Sequence, residues 1–268
     1  MVDMVHSGLT ASIPGGMVAG GAGHTAAGVY HGDCLAILPS IATGSVDLIL
    51  ADMPYGTTRC AWDSHIDLQR LWPELKRVSK GAILLFAQTP FDKVLGASNL
   101  PMLRYEWIWE KTHATGHLNA KKMPLKAHEN VLVFYAKAPT YNPQKTSGHV
   151  RKSAVKRGDV TPVYGAQTFA PISYDSTDRY PRSVQTFASD KQRSNIHRTQ
   201  KPQGLCEYLI RTYSNPGDVV LDFCMGSGTT GAAARAEGRS FIGIESDPEI
   251  YTVACGRLGA SQQERAAA

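Results

Sequence analysis

Cysteines are few in this chain and form no pattern. Cys34, Cys60, Cys206, Cys224 and Cys255 are the only five in 268 residues, and no two make a C-x-x-C pair. An odd, scattered set argues against a disulfide framework or a zinc site and fits a reducing cytoplasm. Long apolar runs are also missing. No stretch approaches the roughly 18 residues of a membrane span, so no membrane association is expected. Asp3 is the only Asp, Glu, Lys or Arg before residue 29, and no basic segment leads into an apolar one, so no secretory signal is expected. Residues 1–28 instead hold seven glycines among many Ala, Ser and Thr, without periodicity, which is the composition of a flexible tail.

Charge is unevenly spread. From Lys137 to Lys201 there are twelve Lys and Arg against four Asp, a net +8, and the rest of the chain carries −3 of the overall +5. One basic segment on a mildly acidic remainder is the footprint of a polyanion partner rather than of a generally basic protein. The same stretch is rich in Pro, Tyr, Gln, Ser and Arg and poor in aliphatic residues, so it buries little core of its own. Strand character is expected at 160–172 and 180–187. A disordered linker is the alternative.

Elsewhere the pattern is that of an α/β domain. Buried strands are expected at 29–34, 46–51, 81–88, 104–111, 128–136, 217–222 and 241–245, with helices near 67–78, 89–97 and 203–213. The period-two run Arg104 to Lys111 and the run His128 to Ala136 flank a polar loop with three lysines, which predicts an antiparallel hairpin at the sheet edge.

Two stretches carry chemistry. The apolar run Val46 to Ala51 ends in Asp52-Met53-Pro54-Tyr55. It delivers a carboxylate, a Pro carbonyl in a fixed turn and an aromatic ring to the carboxyl end of a strand, where open α/β sheets place their chemistry. Such a set suits an exocyclic amine at the edge of a planar base, with the ring stacked on its face. A plain strand end is the bland reading.

The second stretch is Asp222-Phe-Cys-Met-Gly226-Ser-Gly228-Thr-Thr-Gly231, with Glu245 placed 23 positions after Asp222. By spacing this is a dinucleotide fingerprint, with glycines for close backbone approach and an acid for ribose hydroxyls. The pattern alone does not choose the cofactor. Asp222, however, would repel a pyrophosphate and suits an ammonium. Asp33, after the first strand, is either an acceptor for an adenine amino group or a helix cap.

Asp52 to Tyr55 resembles the Asp-Pro-Pro-Tyr motif of amino-methyltransferases, which methylate adenine N6 or cytosine N4, with Met53 in place of the first Pro. Asp222 to Thr230 resembles that family's Asp-Pro-Phe-x-Gly-Ser-Gly-Thr-Thr, with Phe223-Cys224 in place of Pro-Phe. Thr199-Gln200-Lys201-Pro202 resembles the family segment near the cofactor's methionine carboxylate. Catalytic motif first, basic segment next and cofactor loop last is the order of the β group of DNA amino-methyltransferases. No cysteine follows a proline, so the Pro-Cys nucleophile of cytosine C5-methyltransferases is missing.

The resemblance implies a circularly permuted Rossmann-like methyltransferase fold: a mostly parallel seven-stranded sheet with one reversed strand, helices on both faces and an inserted DNA-recognition region. It divides the chain into a tail (1–28), a catalytic part (29–137), a target-recognition region (138–196) and a cofactor-binding part (197–268). The implied cofactor is S-adenosylmethionine, held by Asp33, Cys34, Thr199, Lys201, Asp222, Cys224, Gly226, Ser227, Gly228, Thr229, Thr230 and Glu245. Asp52, Pro54 and Tyr55 are the implied catalytic residues, with no metal. Duplex DNA is the implied partner, and a homodimer the implied assembly. Asp rather than Ser at position 52 leans toward adenine, with cytosine N4 and a non-catalytic DNA-binding protein as alternatives.

Overall fold

The computed structural model describes residues 28–55, 66–156, 172–189 and 200–259. The expected N-terminal tail, the loop after Tyr55, most of the strand expected at 160–172, and Thr199 fall outside these residues.

The elements in chain order are β1 (Gly28–His31), α1 (Cys34–Ile37), β2 (Val46–Ala51), α2 (Leu68–Val78), β3 (Ser79–Ala87), α3 (Phe91–Ser98), β4 (Leu103–Thr115), β5 (Lys126–Phe134), β6 (Lys152–Lys156), β7 (Ile172–Ser176), β8 (Val184–Phe187), α4 (Gln203–Tyr213), β9 (Val219–Asp222), α5 (Thr229–Ala236), β10 (Ser240–Glu245) and α6 (Pro248–Leu258). They form an eight-stranded sheet ordered β1-β10-β9-β2-β3-β5-β4-β8, with β6 and β7 as a separate two-stranded antiparallel pair.

The sheet is parallel except for β5, which runs against both β3 and β4. The count of seven strands is therefore corrected to eight. The additional strand is β8, which pairs parallel to β4 from inside the basic segment. Its residues alternate between exposed and half-buried, so backbone pairing rather than an apolar run makes it a strand. The hairpin of β4 and β5 is present, but β8 rather than the hairpin closes that edge of the sheet.

Burial on both faces explains the continuous apolar strands. Leu48, Leu50, Leu84 and Phe86 face a cluster with α4, α5 and α6. Ile49, Ala51, Ile83 and Leu85 face a second cluster with residues of α1, α2 and α3. Fully burying an aliphatic side chain contributes about 1.5–3 kcal/mol, enough for two-faced burial to fix the strand registers. α2 begins where the Asp67 carboxylate accepts from the N–H of Gln69 and Arg70, and it buries Leu71, Trp72, Leu75 and Val78 along one stripe.

β2 and β9, far apart in sequence, pair in parallel through Leu48–Val220 and Ile49–Leu221. From this pair the chain winds in opposite directions, β2 to β3 on one side and β9 to β10 on the other. The carboxyl ends at such a switch point form a crevice. Asp33, Glu245, Asp222 and Asp52 end or follow β1, β10, β9 and β2, so adjacent strand ends each bring one acid to that edge.

α4 is tied to β4 by a buried polar knot. Tyr213, 1% exposed, accepts from the Trp107 indole at 2.7 Å and lies 2.9 Å from the Tyr105 hydroxyl. Replacing Tyr213 with Phe leaves the indole N–H without that partner, so stability to urea should fall by about 1–3 kcal/mol with no change in secondary structure. An unchanged denaturation midpoint would show that the knot contributes nothing.

Candidate active site

Asp52, Met53, Pro54 and Tyr55 leave β2 at the crevice. Met53 is 2% exposed and packs into the core beside α2, which accounts for an apolar side chain where the family motif has Pro. The Tyr55 hydroxyl donates to Asp52 Oδ1 at 2.7 Å, and its ring stacks on Phe91 with centroids 5.4 Å apart. Burial, with the Asp52 carboxylate beside it, holds the Tyr55 phenol well above its usual range.

Lys201, expected beside the cofactor, lies against the residues that follow β2. Its Nζ lies 2.8 Å from Asp52 Oδ2, 2.9 Å from Glu129 Oε2 and 3.4 Å from the Tyr55 hydroxyl. The other Glu129 oxygen is 2.6 Å from Lys111 Nζ. The Lys201 side chain is only 10% exposed. Desolvation alone would favour the neutral amine, but Asp52, Tyr55 and Glu129 outweigh it and hold the ammonium well above its usual range. Glu129 is likewise pushed up by burial, yet its two lysines leave it net lowered. Four part-buried charges of alternating sign therefore run Lys111, Glu129, Lys201, Asp52.

Glu129 and Lys111 were not singled out from sequence. The rule that chemistry sits at carboxyl strand ends finds Asp52, but β5 is reversed, so its beginning lies at that edge: Asn130 is opposite Ala87 at the end of β3. The available signal is a charged and an amide residue, Glu129-Asn130, opening the apolar run Val131 to Phe134.

The glycine loop has the geometry its spacing implies. Gly226 (φ +52°) has open space where a Cβ would sit, and its N–H donates to Glu245 Oε2 at 2.9 Å. The second Glu245 oxygen accepts from the Asp247 N–H. Gly231 is glycine for a different reason: a Cβ there would meet the Phe241 ring at 2.6 Å, so its absence lets α5 lie against β10. Ser227, Thr229 and Thr230 are buried, and Gly228 caps α5. Arg257, another residue not singled out from sequence, donates to Thr229 Oγ1 at 2.9 Å and to Gln203 Oε1 at 3.2 Å, tying α6 to the loop and to α4.

Asp222 is 2% exposed, and burial raises its carboxyl to about 7 despite hydrogen bonds from Thr230 and the Cys224 N–H; Asp52 and Glu245 add repulsion. It is a buried acid in need of a cation. Cys34 and Cys224, predicted separately, meet: their thiols hydrogen-bond, which lowers Cys34 and, with burial, raises Cys224. Asp33 is exposed and accepts from the Leu35 N–H at 3.0 Å, so it caps α1. The structure thus brings together Asp52, Pro54, Tyr55 and Lys201 on one side of the crevice. Asp222, Cys224, Glu245, Gly226 and Cys34 gather on the other.

Residues 46–255 match the model of the N6/N4 methyltransferase family, described as DNA methylase. The chain is 32% identical over 253 residues to the DNA adenine methyltransferase YhdJ of Escherichia coli (strain K12), covering 88% of this chain and 84% of that protein. Among solved structures it is similar to the M1.HpyAVI–SAM complex, with TM-score 0.58 and 23% identity over 86% of this chain and 98% of the other. It is also similar to the cytosine-N4-specific PvuII DNA methyltransferase, with TM-score 0.60 and 17% identity over 90% of each chain. With the family model spanning most of the chain and both of its expected motifs meeting in one crevice, this protein belongs to the N6/N4 family of DNA methyltransferases.

Proposed function

We propose that the protein transfers a methyl group from S-adenosylmethionine to adenine N6 in double-stranded DNA. The observation that carries this reading is the placement of Asp52 and Tyr55 beside the Asp222 loop, across the β2–β9 pair.

The crevice suits that cofactor. Among the described residues the buried Asp222 carboxylate has no salt-bridge partner, and Gly226 leaves room for a ligand where a side chain would stand. Asp222 would hold the cofactor's ammonium, Glu245 its ribose hydroxyls, and the Asp33–Cys34 turn with Cys224 its adenine. When bound, S-adenosylmethionine supplies an electrophilic sulfonium methyl.

The residues of the chain do the rest. A paired adenine hides its amino group, so the base is flipped out to reach Asp52. Asp52 and the Pro54 carbonyl accept the two N6 hydrogens and push electron density onto nitrogen, while Tyr55 stacks on the ring. On methyl transfer the nitrogen would give up one N6 proton, which would leave through the Asp52 carboxylate to water. Exposed Lys137, Lys145, Lys152 and Arg182 of the basic segment would meet phosphates, with residues 138–196 as the recognition region. Arg151 is committed elsewhere, bound through two nitrogens to Asp175. A two-fold dimer of this chain would match a symmetric site.

Nucleoside mass spectrometry of DNA treated with enzyme and cofactor should show N6-methyldeoxyadenosine. N4-methylcytosine in its place would overturn the adenine assignment, and no methylated base would overturn the reading. Asp222 gives a second check, because its carboxyl must ionise to pair with an ammonium. Cofactor affinity measured by calorimetry should rise between about pH 6 and 8, and Asp222→Asn should remove that dependence. The stability of the cofactor-free protein should run the other way. The folded carboxyl keeps its proton up to about 7 whereas the ordinary value is 3.8, so stability is lost as pH rises through that window.

A further inference from the structure

The Lys201 ammonium has three hydrogens and three oxygens around it: Asp52 Oδ2 at 2.8 Å, Glu129 Oε2 at 2.9 Å and the Tyr55 hydroxyl at 3.4 Å. Its charge is met by two carboxylates of the protein itself, Asp52 and Glu129. The Asp52 carboxylate in turn is held at both ends, by Lys201 at Oδ2 and by the Tyr55 hydroxyl at Oδ1. Each oxygen keeps a further lone pair for an amine.

We infer that Lys201 is a positioning residue for the acceptor amine rather than a cofactor ligand, and that Glu129, itself held by Lys111, keeps the Lys201 ammonium in place. The inference rests on the reading of Asp52 as the group that takes the amine. Four elements fix the arrangement: Asp52 follows β2, Lys111 lies on β4, Glu129 on β5 and Lys201 just before α4. Part-buried ion chains of this kind add little stability over an apolar packing. What this one adds is a fixed carboxylate plane. A reacting group displaced by about 1 Å loses on the order of a hundredfold in rate, and two-point restraint of Asp52 prevents such displacement.

The test is steady-state kinetics and cofactor calorimetry on Lys201→Met, Lys201→Gln and Glu129→Gln in the full chain. Lys201→Met should lower kcat by roughly ten- to a hundredfold while the cofactor Kd stays within about twofold. Glu129→Gln should lower kcat less, and the double variant Lys201→Met with Glu129→Gln should be no worse than Lys201→Met alone, because both act through one restraint. If Lys201→Met does not fold, Lys201→Gln, which keeps a polar end, and Glu129→Gln carry the same comparison.

Unchanged kcat, or a loss confined to cofactor affinity, would overturn the inference and return Lys201 to the cofactor. Failure of the wild-type enzyme to methylate DNA would instead strike the functional reading itself.

Discussion

Parallel strands end together, and that constraint organises this molecule. β1, β10, β9 and β2 all point their carboxyl ends at one edge, so the acids that end or follow them, Asp33, Glu245, Asp222 and Asp52, are gathered without any local motif joining them. Gathered acids repel. The structure resolves this differently on the two sides of the switch point: Asp222 is buried and its carboxyl raised to about 7, whereas Asp52 is paired with a lysine. Among the described residues one side has no cation and the other already has one. In the proposed function, that asymmetry separates a place for the cofactor from a place for the acceptor amine.

The cation beside Asp52 depends on the single reversed strand. Because β5 runs against its neighbours, its first residues rather than its last reach the crevice, bringing Glu129 to within 2.9 Å of Lys201. A parallel strand at this place would deliver its far end instead. Glu129 would be an uncompensated buried charge with neither lysine, and Lys201 alone would be pulled onto Asp52. With Lys111 at 2.6 Å the four charges balance. The reversed strand of the sheet and the part-buried ion chain of the site are therefore the same feature.

Much of this was legible in the sequence where one residue type has one physical reason to be there. The run Val46 to Ala51 reads as a two-faced buried strand because nothing else accommodates that many consecutive apolar residues beside Pro54. Gly228 and Gly231 read as a tight strand-to-helix turn, and Gly231 indeed sits against Phe241. What sequence did not reveal depends on partners distant in the chain. Glu129 resembles any charge at a strand start until strand direction is known. Lys201 was expected at the cofactor's carboxylate, and nothing local shows the protein carboxylates it meets, Asp52 and Glu129. Strand character was legible at 180–187, where β8 forms, but its parallel pairing to β4, and with it the eighth place in the sheet, was not. The meeting of the Cys34 and Cys224 thiols likewise needs β10 between β1 and β9.

The central claim is that Asp52 acts on the acceptor amine while the cofactor is held across the switch point by other residues. The most direct measurement is turnover and cofactor affinity of Asp52→Ala, side by side with wild type. The account predicts loss of methyl transfer with cofactor affinity close to intact. Full activity in that variant would contradict it.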